Sequence, residues 1–214
     1  MVGTLPSVVG ILPFLPYGVC KFDETGLNII EEVINDSEHK GLLTWEDTII
    51  VVDSASNDLK EDSAVRSGKA SFLPPGDELT DLFGNLIQDY NRNYSGWNFD
   101  IEFIESIQLA HYHEGDFYDW HTDSFVKPVL EKDGKPYNRK VSVTVFLNDP
   151  DEYEGGEFDL ETKGPNWDGD RFETFKLSKG HIIIFPSYMW HRVRPVTSGV
   201  RKSLVLWIKG PPLK

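Results

Sequence analysis

The feature that most constrains the fold is a change of hydrophobic period near residue 100. Beyond that point apolar and polar residues alternate in short runs, and segments rich in Gly, Asp and Pro separate the runs. A period of two is typical of a strand with one buried face. The predicted strands cover residues 101–112, 139–148, 155–160, 171–177, 181–186, 190–196 and 201–208. Short strands that follow a helical region predict a mostly β fold with supporting helices (α+β), built as a β-sandwich or a jelly roll.

The N-terminal third carries helical signals instead. Thr25 is expected to cap a first helix, whose apolar residues recur at helical spacing: Leu27, Ile30, Val33 and Ile34. A second helix is predicted from Asp77 to about Tyr90. We also expect a strand and loop in residues 1–20, a strand at 48–53 and a polar loop over 54–69.

Length and composition narrow the class of protein. A chain of 214 residues without a linker-like segment predicts a single domain over 1–214, in which 1–99 supply helices and strands and 100–210 the jelly-roll core. The net charge of -14 disfavours nucleic acid and anionic membranes as partners. Cys20 has no second cysteine to pair with and is expected to be buried.

Location is predicted from the same data. The apolar N-terminal run lacks a basic start and contains Pro6, Pro13 and Pro16, so it is not typical of a signal peptide. No apolar run approaches the roughly 20 residues that a membrane-spanning helix needs. With a single cysteine, these features predict a cytoplasmic protein.

A candidate metal site lies in the segment FYDWHTDSF. In an extended chain residues i and i+2 point to one face, so His121 and Asp123 would bind one ion together. His191, from a distant strand, would complete a set of two imidazoles and one carboxylate. This facial triad leaves three positions open and suits Fe(II) oxygen chemistry. An HxD triplet alone is weak evidence, because a surface His followed by a turn Asp has the same pattern.

The segment 201–208 places a cation on an inward face. Its alternation puts four residues on one side and four on the other: Arg201, Ser203, Val205 and Trp207 against Lys202, Leu204, Leu206 and Ile208. An inward arginine needs an anion, and a guanidinium matches a carboxylate with two parallel hydrogen bonds. We expect this strand to neighbour a metal-ligand strand, and a dicarboxylate that bridges metal and arginine is therefore predicted. The alternative is a structural ion pair at Arg201.

Other histidines are weaker candidates. His111 and His113 flank Tyr112, so they face away from the cavity if Tyr112 faces it. His181 is expected to be a satisfied residue at a strand end, and His39 to be solvated at a helix end.

Residues 105–210 resemble the 2-oxoglutarate/Fe(II) dioxygenase superfamily, and within it the prolyl 4-hydroxylase-like group and the PKHD-type hydroxylases. The resemblance rests on five motifs: HTD at 121–123, His191 with Arg201 ten residues later, Tyr112-x-x-Gly115, LNDP at 147–150 and GGEF at 155–158.

The resemblance implies roles for nine residues. The iron ligands, which are also the catalytic residues, are His121, Asp123 and His191. The residues that hold 2-oxoglutarate are Arg201, Tyr112 and Ser203. The residues that contact the substrate are Tyr118, Arg139 and Trp207. Some members of the group carry a tyrosine where Phe146 stands, and there it supports 2-oxoglutarate, so Tyr112 and Ser203 would share that role here. The alternatives are core packing for the aromatic residues and a surface strand cap for Arg139.

The resemblance further implies an enzyme with Fe(II), 2-oxoglutarate and O2, and with ascorbate as reductant. It would hydroxylate prolyl residues of a protein or peptide and release succinate and CO2. Asp123 favours hydroxylation, because related halogenases carry a small residue in its place. Two alternatives stay open: an oxygenase that acts on a free amino acid or small metabolite, and a jelly-roll binding module without catalysis. The oligomeric state is not predicted.

Overall fold

The structure, a computed structural model, describes residues 16–48, 65–73 and 76–212. Predictions for residues 1–15, for most of the strand at 48–53 and for the loop as far as residue 64 lie outside the described residues. Within the described ranges, no helix is long and apolar enough to span a membrane.

Strands dominate the described residues. The helices are α1 (Glu24–His39) and α2 (Asp77–Asp89), and a π-helical turn (Tyr90–Tyr94) follows α2. The strands of the N-terminal third are β1 (Gly18–Lys21), β2 (Glu46–Asp47), β3 (Arg66–Ser67) and β4 (Lys69–Phe72). The central strands are β5 (Phe103–Tyr112), β6 (Phe117–His121), β7 (Val129–Leu130), β8 (Pro136–Phe146), β9 (Tyr153–Gly155) and β10 (Phe158–Glu161). The last strands are β11 (Phe172–Phe175), β12 (His181–Pro186), β13 (His191–Val193), β14 (Val196–Gly199) and β15 (Arg201–Gly210).

Two antiparallel sheets form the body of the fold. The larger has the order β1-β12-β8-β15-β5-β4-β2, with β7 paired to β8. The smaller has the order β11-β10-β13-β6-β3, and β14 and β9 form a separate ribbon. Three strands of the N-terminal third thus extend the larger sheet. The prediction of a mostly β jelly roll with supporting helices is confirmed.

Alternation along the larger sheet divides the core into two layers. One layer packs against the helices: Val141, Val143, Val145, Leu204 and Leu206 meet Ile30, Phe83 and Ile87. The other packs against the smaller sheet: Ala110, Phe146, Ile183 and Phe185 meet Phe158, Leu160 and Val193. The side chains of this second layer therefore line the space between the two sheets.

Three local predictions were wrong. Strand β3 and the first residue of β4 lie within the segment 54–69 that was expected to be a loop. Asp23, not Thr25, caps α1: its Oδ1 accepts the backbone N–H of Gly26 at 2.9 Å, and Thr25 already lies in the first turn. The predicted strand 190–196 divides into β13 and β14, because Pro195 between them has no N–H with which to continue the ladder.

Cys20 is buried and free, as predicted.

Candidate metal centre

The two predicted histidine ligands face each other across neighbouring strands of the smaller sheet. His191 on β13 lies directly opposite His121 on β6, and their ring centroids are 4.1 Å apart. Nδ1 of His121 is 2.8 Å from the carbonyl oxygen of Asp119, and Nδ1 of His191 is 2.9 Å from that of Met189. A carbonyl only accepts, so both Nδ1 atoms carry the proton. In the neutral form of each ring, Nε2 then has a lone pair that points to the same place and can bind a metal ion.

Asp123 reaches the same point by a different route from the one predicted. Strand β6 ends at His121, so His121 and Asp123 do not share an extended segment. The chain bends instead, and the N–H groups of Asp123 and Ser124 both donate to the carbonyl oxygen of Ser187 at 2.9 Å. This bend brings Oδ1 of Asp123 to 3.8 Å from Nε2 of His121, and Oδ2 to 3.4 Å from Nε2 of His191.

The charges of the cluster suit a divalent cation. Burial lowers the pKa of His121 to about 3, with a further contribution from His191. Burial alone would raise the pKa of Asp123, but His191, His121 and Arg139 hold it below its ordinary value. Near neutral pH the site thus offers an imidazole lone pair from His121 beside the Asp123 carboxylate. One ligand atom from each of His121, Asp123 and His191 lies within 4.8 Å of the others.

Arg201 lies across the space between the sheets from this cluster. It is the first residue of β15, in the larger sheet between β8 and β5, so its strand does not neighbour the ligand strands as expected. It faces them instead from the opposing sheet.

The Arg201 guanidinium is buried without an anion. Arg201 is 1% exposed, and only Nη1 is satisfied, by donation to Ser203 Oγ at 3.0 Å. Nε and Nη2 make no well-formed hydrogen bond within the described residues. The Tyr153 hydroxyl lies near the guanidinium and favours its charged form, but it supplies no negative charge to neutralise it. Burial lowers the pKa of Arg201. The structure therefore shows no carboxylate partner for a structural ion pair, and two donors remain free.

One cavity of about 840 Å³ brings all the predicted site residues together. Its lining includes His121, Asp123, His191, Arg201, Tyr112, Ser203, Tyr118, Arg139 and Trp207. Phe146 is not part of the lining and packs 5.3 Å from the Arg201 guanidinium.

The three residues predicted to contact substrate make specific contacts in this cavity. The Tyr118 ring stacks on His121 with centroids 3.4 Å apart. Arg139 pairs with Glu105 through two hydrogen bonds, of 2.7 and 3.2 Å, and lies 3.9 Å from the centre of the Trp207 ring. Arg139 is therefore not a surface strand cap. Trp207 is buried, and its Nε1–H has no partner among the described residues.

The other histidines lie outside the cavity, as predicted. His111 stacks on Trp45 at 4.1 Å, and His113 lies 3.6 Å from Asp116. His181 Nδ1 is 2.8 Å from the carbonyl oxygen of Ser178 at the start of β12. His39 is exposed near the end of α1.

Two buried serines were missed by sequence reasoning. Ser142 Oγ donates to Asp123 Oδ2 at 2.7 Å and lies 2.8 Å from Ser187 Oγ. In the strand VSVTV the small polar residues Ser142 and Thr144 occupy the inward positions between valines, and this alternation was a usable signal. Ser187 lies in a turn after β12, where no sequence pattern indicates a functional role.

The donor set fits Fe(II). Two imidazoles and one carboxylate at the edge of an open cavity are the ligands that this ion accepts in a facial arrangement. The unpartnered N–H groups of Arg201 across the cavity fit a carboxylate.

A jelly roll with such a centre between its sheets defines a class, the mononuclear non-haem metal proteins of the double-stranded β-helix fold. Residues 107–209 match the family model described as the 2OG-Fe(II) oxygenase superfamily. The resemblance of this part of the chain to that superfamily, inferred from sequence, is thus confirmed.

Curated relatives match about the same region. A PKHD-type hydroxylase of Hyphomonas neptunium is 41% identical over 96 residues, which cover 45% of this chain and 39% of the relative. A PKHD-type hydroxylase of Thioalkalivibrio sulfidiphilus is 42% identical over 93 residues, which cover 44% of this chain and 38% of the relative. The match thus spans about two fifths of the length of these relatives.

Solved structures share the fold over most of the chain. A prolyl-4-hydroxylase of Pseudomonas putida has a TM-score of 0.61 at 20% identity, with 92% of both chains covered. A prolyl hydroxylase of Trichoplax adhaerens, in complex with a hypoxia inducible factor peptide fragment, has a TM-score of 0.62 at 17% identity, with 90% of this chain and 83% of that chain covered. At these identities the likeness shows the fold alone.

Proposed function

We propose that this protein is an Fe(II)- and 2-oxoglutarate-dependent dioxygenase that hydroxylates prolyl residues of a protein or peptide and releases succinate and CO2. One observation carries the proposal. A cluster of two histidines and one aspartate faces a buried arginine across one cavity, and two donor groups of that arginine make no hydrogen bond to any described residue.

His121 Nε2, His191 Nε2 and a carboxylate oxygen of Asp123 would hold the metal. When bound, Fe(II) supplies the reaction of dioxygen with 2-oxoglutarate that places one oxygen atom on a C–H bond of the substrate. The orientation of each ligand side chain is fixed without the metal. Both Nδ1–H groups donate to backbone carbonyls, and the Ser187 carbonyl oxygen accepts the backbone N–H at the Asp123 bend.

Arg201 would hold the co-substrate. Its Nε–H and Nη2–H can donate two parallel hydrogen bonds to the distal carboxylate of 2-oxoglutarate, while Nη1 stays on Ser203. Binding of that carboxylate neutralises a buried charge, which makes occupancy favourable. Tyr112, whose ring is 5.6 Å from the guanidinium, would line the same end.

The substrate would enter along Tyr118, Arg139 and Trp207. Two aromatic rings and one guanidinium suit a compact, weakly polar group such as a prolyl ring and its carbonyl. Arg139 is already paired with Glu105, so a second carboxylate on the substrate would have to compete for it. The names of the two structural neighbours, both prolyl hydroxylases, support this substrate class. Ascorbate as reductant and a cytoplasmic location stay predictions.

The test is turnover of 2-oxoglutarate. With Fe(II) and ascorbate, wild-type protein should produce succinate, and His121→Ala and Asp123→Ala should abolish it. His113→Ala removes an exposed histidine outside the cavity and serves as the matched control, with wild-type turnover expected. If the Asp123→Ala protein forms succinate at the wild-type rate, the ligand assignment is wrong.

The prolyl assignment needs a second readout. Proline-rich peptides incubated with the active enzyme should gain the mass of one oxygen atom on proline, and peptides with proline replaced by alanine should not. If free amino acids or metabolites are oxidised and no peptide is, the oxygenase assignment stands and the prolyl assignment falls.

A further inference from the structure

The two serines beside Asp123 form a chain of hydrogen bonds that ends on the metal-ligand carboxylate. Ser142 and Ser187 are 1% and 0% exposed, so neither hydroxyl is solvated. Ser142 Oγ is 2.7 Å from Asp123 Oδ2 and 2.8 Å from Ser187 Oγ. An ionised carboxylate only accepts, so Ser142 donates to Asp123, and Ser187 then donates to Ser142.

Ser187 also fixes the backbone at the same place. Its carbonyl oxygen accepts the N–H groups of Asp123 and Ser124, and its own N–H donates to the carbonyl oxygen of Lys140 at 3.0 Å. Ser142 lies on β8 opposite Phe185 of β12, two residues before Ser187. Both the backbone and the carboxylate of Asp123 are thus held by this pair of serines.

The direction of this hydrogen bond bears on how Asp123 would bind a metal ion. A carboxylate can bind an ion through one oxygen or through both. Oδ2 lies 3.4 Å from Nε2 of His191, close enough to supply a second bond to the same ion if nothing else held it. The Ser142 hydroxyl holds Oδ2, whereas Oδ1 accepts no hydrogen bond from the described residues.

We propose that Ser142, supported by Ser187, is a positioning residue that makes Asp123 bind the metal through Oδ1 alone. The third protein ligand then takes one position of an octahedral ion, and three positions stay open. The inference rests on the metal site of the proposed function and adds a reason why that site keeps room for both a two-point co-substrate and dioxygen. Loss of the hydroxyl would free Oδ2 to take one of those positions.

The experiment counts water molecules on Mn(II), a redox-inactive ion of similar preference, bound to the full chain without co-substrate. Mn(II) takes about six ligands, so wild type should carry about three waters, and Ser142→Ala about two. The count comes from water proton relaxation and from line broadening by ¹⁷O water in the Mn(II) EPR spectrum. It does not depend on activity.

Three variants make the count decisive. Ser71→Ala is the matched control. Ser71 is also 0% exposed on the larger sheet, but its hydroxyl has no partner in the described part of the chain, so about three waters are expected. Ser142→Thr keeps a hydroxyl and should restore the wild-type count. Ser142→Cys preserves size with a much weaker donor and should behave like Ser142→Ala, which covers the case in which the alanine variant does not fold.

Each result decides something different. If Ser142→Ala and Ser142→Cys bind Mn(II) and keep the wild-type number of waters, Ser142 has only a structural role and the inference is overturned, while the metal site stands. If wild type binds no Mn(II) and no Fe(II), the metal site itself is wrong and the inference fails with it.

Discussion

At the scale of the residue, the burial of the charged Arg201 side chain is unfavourable for the stability of the fold. A guanidinium that is 1% exposed and lacks a carboxylate partner among the described residues costs stability. Burial lowers its pKa, which expresses the same penalty on the charged form. Such a group is retained where a ligand satisfies it.

Replacement of Arg201 by methionine should therefore separate stability from binding. Arg201→Met should raise the unfolding free energy of the ligand-free protein by about 1 kcal/mol or more, roughly 2–4 °C in Tm per kcal/mol for this length. Wild type should gain Tm when 2-oxoglutarate is added with Mn(II), and the variant should not. Thermal denaturation with and without the diacid measures both effects.

The exposed Arg92 provides the control for this test. Arg92→Met should leave the ligand-free Tm and the gain from 2-oxoglutarate unchanged. An Arg201→Met protein that is destabilised in the absence of ligand yet still stabilised by 2-oxoglutarate would show that the arginine is structural.

Sequence reasoning located these residues because their signals were local. The spacing of His121 and Asp123 and the inward parity of Arg201 both come from a few neighbouring residues. Ser142 and Ser187 are 45 residues apart and gain meaning only from contact with each other and with Asp123. Their positions depend on the packing of β8 against β12, which no local pattern reports.

At the scale of the element, glycines shape the ribbon of β9 and β14 next to Arg201. Gly155 at the end of β9 has a φ of +70°, and a Cβ there would collide with the carbonyl oxygen of Pro195 just before β14. Gly156, with a φ of +65°, would place a Cβ 3.1 Å from Cδ of Arg201. The absence of side chains here lets the ribbon close beside the arginine.

Gly155→Ala should destabilise the protein by about 2 kcal/mol or more, since strained backbone and a backbone collision add together. Gly164→Ala is the matched control, because a Cβ there would meet nothing within 4 Å, and its effect should stay within about 0.5 kcal/mol. Urea denaturation of both variants measures the difference. Equal unfolding midpoints for the two variants would contradict this reading of the ribbon.

Strand existence was predicted better than strand ends and caps. The segment 181–186 was predicted with its observed bounds, because apolar alternation and flanking turn residues agree there. Strand β6 was not among the predicted strands, and its end at His121 was missed as well, since the bend at Asp123 is fixed by the distant Ser187. The cap of α1 was misplaced because Asp23 and Thr25 are both acceptable caps, and only backbone geometry distinguishes them.

At the scale of the whole molecule, the sequence did not determine which sheet each strand joins. The strand that carries Arg201 was expected beside a metal-ligand strand and lies in the opposing sheet. Strand order depends on long-range pairing, whereas alternation specifies only the face that is buried. The cavity exists because ligands and arginine come from opposite sheets.

Acid stability is a property of the whole fold to which His111 contributes. Burial, with Lys202 and His113 nearby, lowers its pKa from 6.5 to about 4. Between those values the unfolded chain binds more protons than the folded one, so stability rises with pH and falls as pH drops from 6.5 towards 4. His111→Gln should reduce the dependence of stability on pH without removing it, because folding also lowers the pKa of His121.

The measurement is the unfolding free energy against pH for wild type and His111→Gln. The gap between the two curves should change as pH falls from 6.5 towards 4 and should stay constant above 6.5. Curves that stay parallel across the window would contradict a neutral, buried His111.

The central claim is that one cavity holds Fe(II) on His121, Asp123 and His191 and an organic diacid against Arg201. Anaerobic titration of the protein with Fe(II) and then 2-oxoglutarate tests it most directly. A weak visible charge-transfer band should appear with wild type only when both are present, and should be absent with Asp123→Ala. No band with wild type, or an undiminished band with Asp123→Ala, would contradict the account.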